Sequence, residues 1–422
     1  MKMKRFFLYI LTCLLFFSGM QYIIAQTSTG FIEIKGKIVD DNSNDALVFA
    51  DITIKDSNIS TITNSDGEFA LKIPDSLASK LITFSHLGYQ KKEMKISELN
   101  GHSKIKLFPA VTELNEVEVK TYRDAETLLR ETLKNRSNAY NNDNALMTAF
   151  YRETIKKRRR NASLSEAVVQ IHKQPYSNFK NDAIELIKAR KSTDYTRLDT
   201  LAVKLQGGPF SNLYTDIIKY PEYIFSNENI VLYDFDFGES TQVNNKPVYV
   251  VNFKQKPSIK EPLYYGKLYI DAETLALTNA VFRLNVENKE LSSEMYIRKK
   301  PRKVDVYPTE ATYRVNYRTQ DGKWHYAYSN ILLTFKVNWK GKLFNSVYTL
   351  NSEMAITDWR ISNPNLIKAK EHMLKPTTIL ADETSGFKDP AFWGEYNIIE
   401  PEKSIEAAIE KIKKQLNKTS NI

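Results

Sequence analysis

Short alternations of apolar and polar residues, broken by turn-forming clusters, run through the first hundred positions. Ile34, Gly36 and Ile38 alternate with Lys35, Lys37 and Val39 until the polar run Asp40 to Asp45 interrupts them. Val48 to Ile54, Thr61 to Thr63, Phe69 to Ile73, Leu81 to Phe84 and Glu93 to Ile96 repeat the pattern. Asn64-Ser65-Asp66-Gly67 suits a tight hairpin, since glycine accepts positive φ. At least six short strands in under 80 residues predict a small antiparallel sandwich.

The period then changes. Ala125, Leu128, Leu129, Thr132 and Leu133 fall on one helical face behind Asp124, a capping residue, and Asn141 to Asn144 ends the segment. Leu146 to Glu153 and Leu164 to Ile171 fit either period, and two strands joined around the basic run between them is the favoured reading. After Pro221 the pattern predicts strands at Ile230–Phe237, Val248–Phe253, Tyr264–Ile270, Leu277–Val286, Ala311–Tyr317, Trp324–Trp339 and Leu343–Trp359. Successive hairpins imply one meandering antiparallel sheet, curved or partly closed. Ile405, Ala408, Ile409, Ile412 and Leu416 form the stripe of a final amphipathic helix.

The N-terminus alters how composition is read. Lys2, Lys4 and Arg5 precede an apolar run from Phe6 to Phe17, and Ala25 precedes Gln26, the order of a secretory signal peptide. Residues 1–25 are therefore expected to be removed, and no later stretch is apolar for the roughly 20 residues a spanning helix needs. Cys13 is the single cysteine, so the exported chain would have no disulfide framework. The formal charge of +10 falls to +7 without the three leader cations. Of 422 residues, 45 are Tyr or Phe, as strands would require.

Gly36 to Asp40, Leu47 to Ile52, Thr63 to Phe69, Ile73-Pro74 and Phe84 to Tyr89 together resemble the carboxypeptidase regulatory-like domain of Bacteroidota envelope proteins. Ser43-Asn44 and Ala46 depart from the Thr-Gly and Pro usual in its first turn. The resemblance implies an accessory, non-catalytic, transthyretin-like β-sandwich. Leu114 to Val119 is similar to the segment that joins such a sandwich to the plug of a TonB-dependent receptor, but the remaining chain is too short for that barrel. The region from Asp124 to Leu416 resembles an uncharacterised Bacteroidota domain found after the same sandwich, carried by Ala149 to Glu153, Ser165 to Ala167, Gly266 to Asp271 and Phe392 to Pro401. Its central sheet more weakly resembles half-barrel carriers of the lipoprotein-sorting type.

Candidate chemistry is sparse. His86, His102, His172, His325 and His372 form neither His-x-x-Glu nor His-Glu-x-x-His, which disfavours a metallocarboxypeptidase, and neither a Gly-x-Ser-x-Gly elbow nor a phosphate loop occurs. Asp66-Gly67-Glu68 lacks calcium-loop spacing. No catalytic, cofactor or metal residue is assigned. Arg152, Glu153 and Glu166 are the candidate buried polar cluster, with a structural ion pair the plainer reading. Lys156, Lys157, Arg158, Arg159 and Arg160 are the candidate contact to anionic lipid or lipopolysaccharide, helped by Lys299-Lys300 and Arg302-Lys303; the plain alternative is a solvated hairpin tip. The aromatic alternation Trp324, Tyr326, Tyr328, Phe335, Val337, Trp339 predicts one packed face or the lining of an apolar cavity.

The expected protein is mainly β: a signal at 1–25, a sandwich at 31–110, a linker at 111–123, and at 124–422 a larger curved, half-barrel-like antiparallel sheet with flanking helices. Its expected role is a non-catalytic binding or scaffolding component of the periplasm or outer-membrane periphery, with an envelope protein or anionic surface as partner and no nucleic acid. The alternative is a periplasmic carrier of a lipid, lipoprotein or other apolar ligand.

Overall fold

In the computed structural model, the described residues are 30–99, 102–110, 122–158, 160–193, 206–243, 245–298, 300–341, 343, 345–362, 372–383 and 392–401. The leader, most of the linker and the expected final helix lie outside them. No helix among the described residues is long and apolar enough to cross a membrane.

The small domain has two sheets. One pairs β1 (Phe31–Asp40) with β4 (Glu68–Pro74) and β7 (Ser103–Leu107); the other runs β3 (Ser60–Ile62), β2 (Asp51–Ile54), β5 (Leu81–Ser85), β6 (Lys92–Lys95). Ile38, Ile52, Phe69, Leu71, Ile82 and Phe84 are fully buried between them. Gly67, at φ +72°, sits in the turn from β3 to β4, which belong to different sheets, so the expected hairpin is instead a crossing between the two layers; Asn64 Oδ1 accepts there from the amides of Asp66 and Glu68. That turn leaves the Asp66-Gly67-Glu68 segment explained by backbone geometry. One pairing differs from the expected all-antiparallel arrangement: β7 lies parallel to β1. A pairing between the first and last strands of the domain, with Gly36 opposite Ser103, joins residues too far apart in sequence to leave a local turn signature.

Ten strands follow one path in the large sheet: β10 (Ala183–Thr193), β9 (Arg160–Lys173), β8 (Ala145–Lys157), β18 (Ser346–Ile361), β17 (Lys323–Trp339), β16 (Val304–Gln320), β15 (Leu277–Leu284), β14 (Tyr264–Asp271), β13 (Lys246–Gln255), β11 (Tyr233–Phe237). β12 (Thr241–Val243) pairs beside β13 as an eleventh. Every neighbouring pair is antiparallel, and the sheet is open and curved.

Helices occupy one face. α1 (Ala125–Lys134) starts where the Asp124 carboxylate accepts from Thr127 N at 2.7 Å, a cap that stabilises by about 1 kcal/mol. Its Leu128 and Leu129 are buried in the large core of this face, and the helix lies against β11. The short α2 (Arg136–Ala139) and α3 (Pro209–Leu213) extend the cover, and α4 (Lys289–Tyr296) covers the far end, where Tyr296 meets Phe335 and Tyr313. Gly207 and Gly208, both at positive φ, lead into α3.

The small sandwich sits on the opposite face. β3 and its flanks pack on β18: Ser60 Oγ donates to Ile356 O, and Arg318 on β16 donates to Ser60 Oγ at 2.6 Å and to Asp51 Oδ1 at 2.7 Å. Ile62 and Phe49 join Phe150, Val168, Tyr328 and Ala355 in one apolar cluster. The aromatic alternation of β17 is split between the faces. A bulge at Ala327, opposite Asn316 and Tyr317, shifts the phase, so Trp324 and Tyr326 face the helices while the Tyr328 ring lies tilted against Phe49 of the sandwich, centroids 5.4 Å apart.

Candidate functional site

Four strands place alternating charges side by side on the sandwich-bearing face. Arg190 lies opposite Glu166, Glu166 opposite Arg152, and Arg152 opposite Glu353, a row across β10, β9, β8 and β18. Arg152 Nε binds Glu166 Oε1 at 2.8 Å and its Nη1 reaches Glu353 Oε1 at 3.3 Å; Arg190 Nη2 binds Glu166 Oε2 at 2.7 Å. Tyr328 donates to the other Glu353 oxygen at 3.2 Å. Arg152 and Glu166 are only 2% and 1% exposed, so the row is a desolvated network, stable because each charge meets an opposite neighbour.

Residues 392–401 close over this row and fill the seam between the domains. Toward the sheet, Arg152 Nη2 donates to Ile399 O at 2.6 Å, Trp393 meets Phe150 edge-on at 5.4 Å, and the Arg190 guanidinium lies 4.7 Å over the Trp393 ring. Toward the sandwich, Asn397 exchanges two bonds with the Lys72 backbone (2.7 and 3.1 Å), Thr61 donates to Ile398 O at 3.0 Å, and Asn64 donates to Glu400 O at 3.1 Å. A strap with little regular structure is thus bonded on both sides, satisfying backbone groups that would otherwise be buried unpaired.

Glu153 does not join the row. Adjacent strand residues project to opposite sides, so Glu153 faces the helices while Arg152 faces the sandwich. Tyr151 OH donates to it at 2.9 Å, and burial pushes its carboxyl up to about 7 against that bond. Nearby on the same face, Asn212 of α3 donates to Ser329 Oγ at 2.9 Å and accepts from Ser352 Oγ at 2.8 Å, tying the helix to β17 and β18.

A second closed network was not visible in the sequence. Lys173 at the end of β9 binds Asp182 at 2.7 Å and Asp216 at 2.8 Å; Tyr176 and Tyr317 donate to Asp216, and Tyr220 donates to Asp182. Burial alone would lower the lysine, yet the two carboxylates outweigh it and its pKa is raised. Three segments far apart in sequence supply these groups, and no spacing rule links them. These bonds hold residues 173–182 and 216–220 to one another and to Tyr317 of the sheet.

The basic run lies at the β8–β9 turn. Arg158 is exposed at φ +57°, donates its amide to Val347 O at 2.8 Å, and Lys156 and Lys157 are half-exposed; Arg159 and the side chain of Arg160 lie outside the described residues. Among the described residues no group of three or more His, Cys, Asp or Glu could hold a metal ion. His325 is buried against Trp359, with ring centroids 4.9 Å apart, and His86 bonds the Val48 carbonyl.

No curated protein matches the chain. Among solved structures, a LolA superfamily protein from Nitrosomonas europaea aligns at 9% identity and TM-score 0.24, covering 59% of this chain and 99% of that one. A putative outer membrane lipoprotein-sorting protein domain from Vibrio parahaemolyticus aligns at 10% and 0.23 (57% and 92%), and a DUF1329 family protein from Desulfovibrio piger at 9% and 0.22 (57% and 92%). These scores fall short of a shared overall fold. The small sandwich is different: residues 34–119 match the family model of the CarboxypepD_reg-like domain.

Proposed function

We propose that this protein is a non-catalytic scaffolding or binding component of the cell envelope, in which sandwich and large sheet act as one rigid body. The observation that carries this reading is the strap: residues 392–401 bond Arg152 of the sheet and Lys72, Thr61 and Asn64 of the sandwich at once. A freely moving accessory domain would not bury a charged row beneath its contact. The closed networks around Arg152 and Lys173 support a structural rather than a reactive use of their charges. Export rests on the leader-like order of residues 1–25.

A carrier reading has one observation in its favour. Ile331, Leu333, Phe335, Val337 and Leu350 line the far end of the helix-bearing face, and the described residue segment packed over them is the eight-residue α4. Movement of so short a helix would uncover an apolar surface. Native mass spectrometry of protein purified from its own envelope, with lipid extraction, separates the readings. A stoichiometric protein partner without lipid supports the scaffold, reproducible acyl-chain mass supports the carrier, and chelator-sensitive peptide hydrolysis contradicts both.

A further inference from the structure

We infer that one end of the large sheet is a docking surface for a bilayer carrying anionic headgroups. Strand register puts three separate stretches at that end. Lys157 pairs with Tyr348, Lys336 with Val347, and Val304 with Trp339, so the β8–β9 turn, the β17–β18 turn and the start of β16 stand in a row. Backbone bonds from Arg158 N to Val347 O and from Lys340 N to Lys303 O fasten the three together. From β9 to β16 is four strand spacings, roughly 19 Å, broad enough to lie across several lipid headgroups.

The chemistry of that row is one-sided. Lys156, Lys157, Arg158, Lys300, Arg302, Lys303, Lys336 and Lys340 are exposed or half-exposed there, and Asp305, 3.9 Å from Lys300, is the acidic residue among residues 156–158, 300–305, 336–341 and 345–347. The sequence alone grouped 156–160 and could only append 299–303 by likeness of charge; the register is what makes them neighbours. At the tip of the β17–β18 turn, Leu343 is 91% exposed. An apolar side chain held out beyond a band of cations fits a surface that is anionic at its headgroups and apolar just beneath. A nucleic acid backbone would use the cations but offer Leu343 nothing.

The surface is independent of the scaffolding reading, which partner co-purification tests, so either can fail alone. The test is co-sedimentation of the chain from Gln26 onward with phosphatidylcholine vesicles, with and without phosphatidylglycerol, at about 0.1 M and about 1 M salt. Binding is expected to the phosphatidylglycerol vesicles at low salt, and to fall steeply at high salt. The triple variant Arg302→Glu, Lys303→Glu, Lys340→Glu should partition roughly 100-fold more weakly. Leu343→Ser should weaken it roughly 10-fold. A control triple of the same charge change, Lys95→Glu, Lys254→Glu, Lys260→Glu, whose residues are exposed elsewhere, should lose far less. Should the patch triple unfold at lower denaturant, Gln replaces Glu at the same positions. Equal binding to both vesicle types, binding to neither, equal losses in the two triples, or duplex DNA displacing the vesicles would each overturn the inference.

Discussion

Replacing Arg152 by alanine removes the centre of the charged row and one anchor of the strap together. Glu166 keeps Arg190 at 2.7 Å and Glu353 keeps the Tyr328 hydroxyl at 3.2 Å, so neither carboxylate is abandoned. Breaking one partner of a buried pair destabilises by about 3–5 kcal/mol, and the retained partners place the loss near the lower figure. The Ile399 carbonyl, which accepts from Arg152 at 2.6 Å, is then unpaired in the seam, a further loss of about 1–3 kcal/mol unless the strap lifts into water. Arg152→Ala should therefore lower unfolding stability in urea by about 3 kcal/mol or more. It should also make 392–401 cleavable in limited proteolysis before the sheet unfolds. The double variant Arg152→Ala, Glu166→Ala should lose less than the sum of the single losses, because the two residues share one bond. A loss below about 1 kcal/mol with the strap still protected would refute the claim that this row clamps it.

Three further predictions follow from other sites. Because burial raises the Glu153 carboxyl to about 7, the folded chain keeps this proton where the unfolded chain, near 4.5, has lost it; its contribution to stability falls as pH rises from 4.5 to 7. Glu153→Gln should match the parent near pH 4.5 and exceed it by about 1–3 kcal/mol at pH 8 in denaturant titrations; an equal difference at both pH values would contradict this. A Cβ at Gly266 would meet Val281 O at 2.3 Å and Phe282 Cα at 2.6 Å, so Gly266→Ala should separate β14 from β15 and lower the thermal midpoint by several degrees, whereas an unchanged midpoint would show that the close approach is dispensable. Lys173→Met strands Asp182 and Asp216 together in the interior and should destabilise by about 3–5 kcal/mol, read by the same urea titration, with a loss under about 1 kcal/mol counting against the network.

Local signals were legible where local physics decides. The Asp124 cap with its apolar stripe, the turn at Gly67 and the hairpins from β13 to β18 follow from periodicity and turn chemistry. β16 extends to Val304 although Pro308 sits within it, because a bulge between Pro308 and Glu310 absorbs the missing donor. β10 was missed since its own bulge between Leu186 and Lys188 breaks the period of two. Of the expected polar cluster, Arg152 and Glu166 meet while Glu153 faces away, a distinction that needs strand phase rather than proximity in sequence. The Phe392 to Pro401 stretch stood out only as a recurrent motif. It has no periodicity to read, because Arg152, Arg190 and Lys72, which hold it from two domains, lie more than 200 positions away.

The most direct test of the rigid two-domain body is a distance measurement across the seam. Cys13 is the chain's one cysteine, so the protein from Gln26 onward accepts spin labels cleanly at Lys95→Cys on β6 and Lys254→Cys on β13, both exposed. Pulsed electron paramagnetic resonance should give one narrow distance distribution that broadens when Asn397→Ala removes both bonds to the Lys72 backbone. A broad or multiple distribution in the parent, unaltered by Asn397→Ala, would contradict the account.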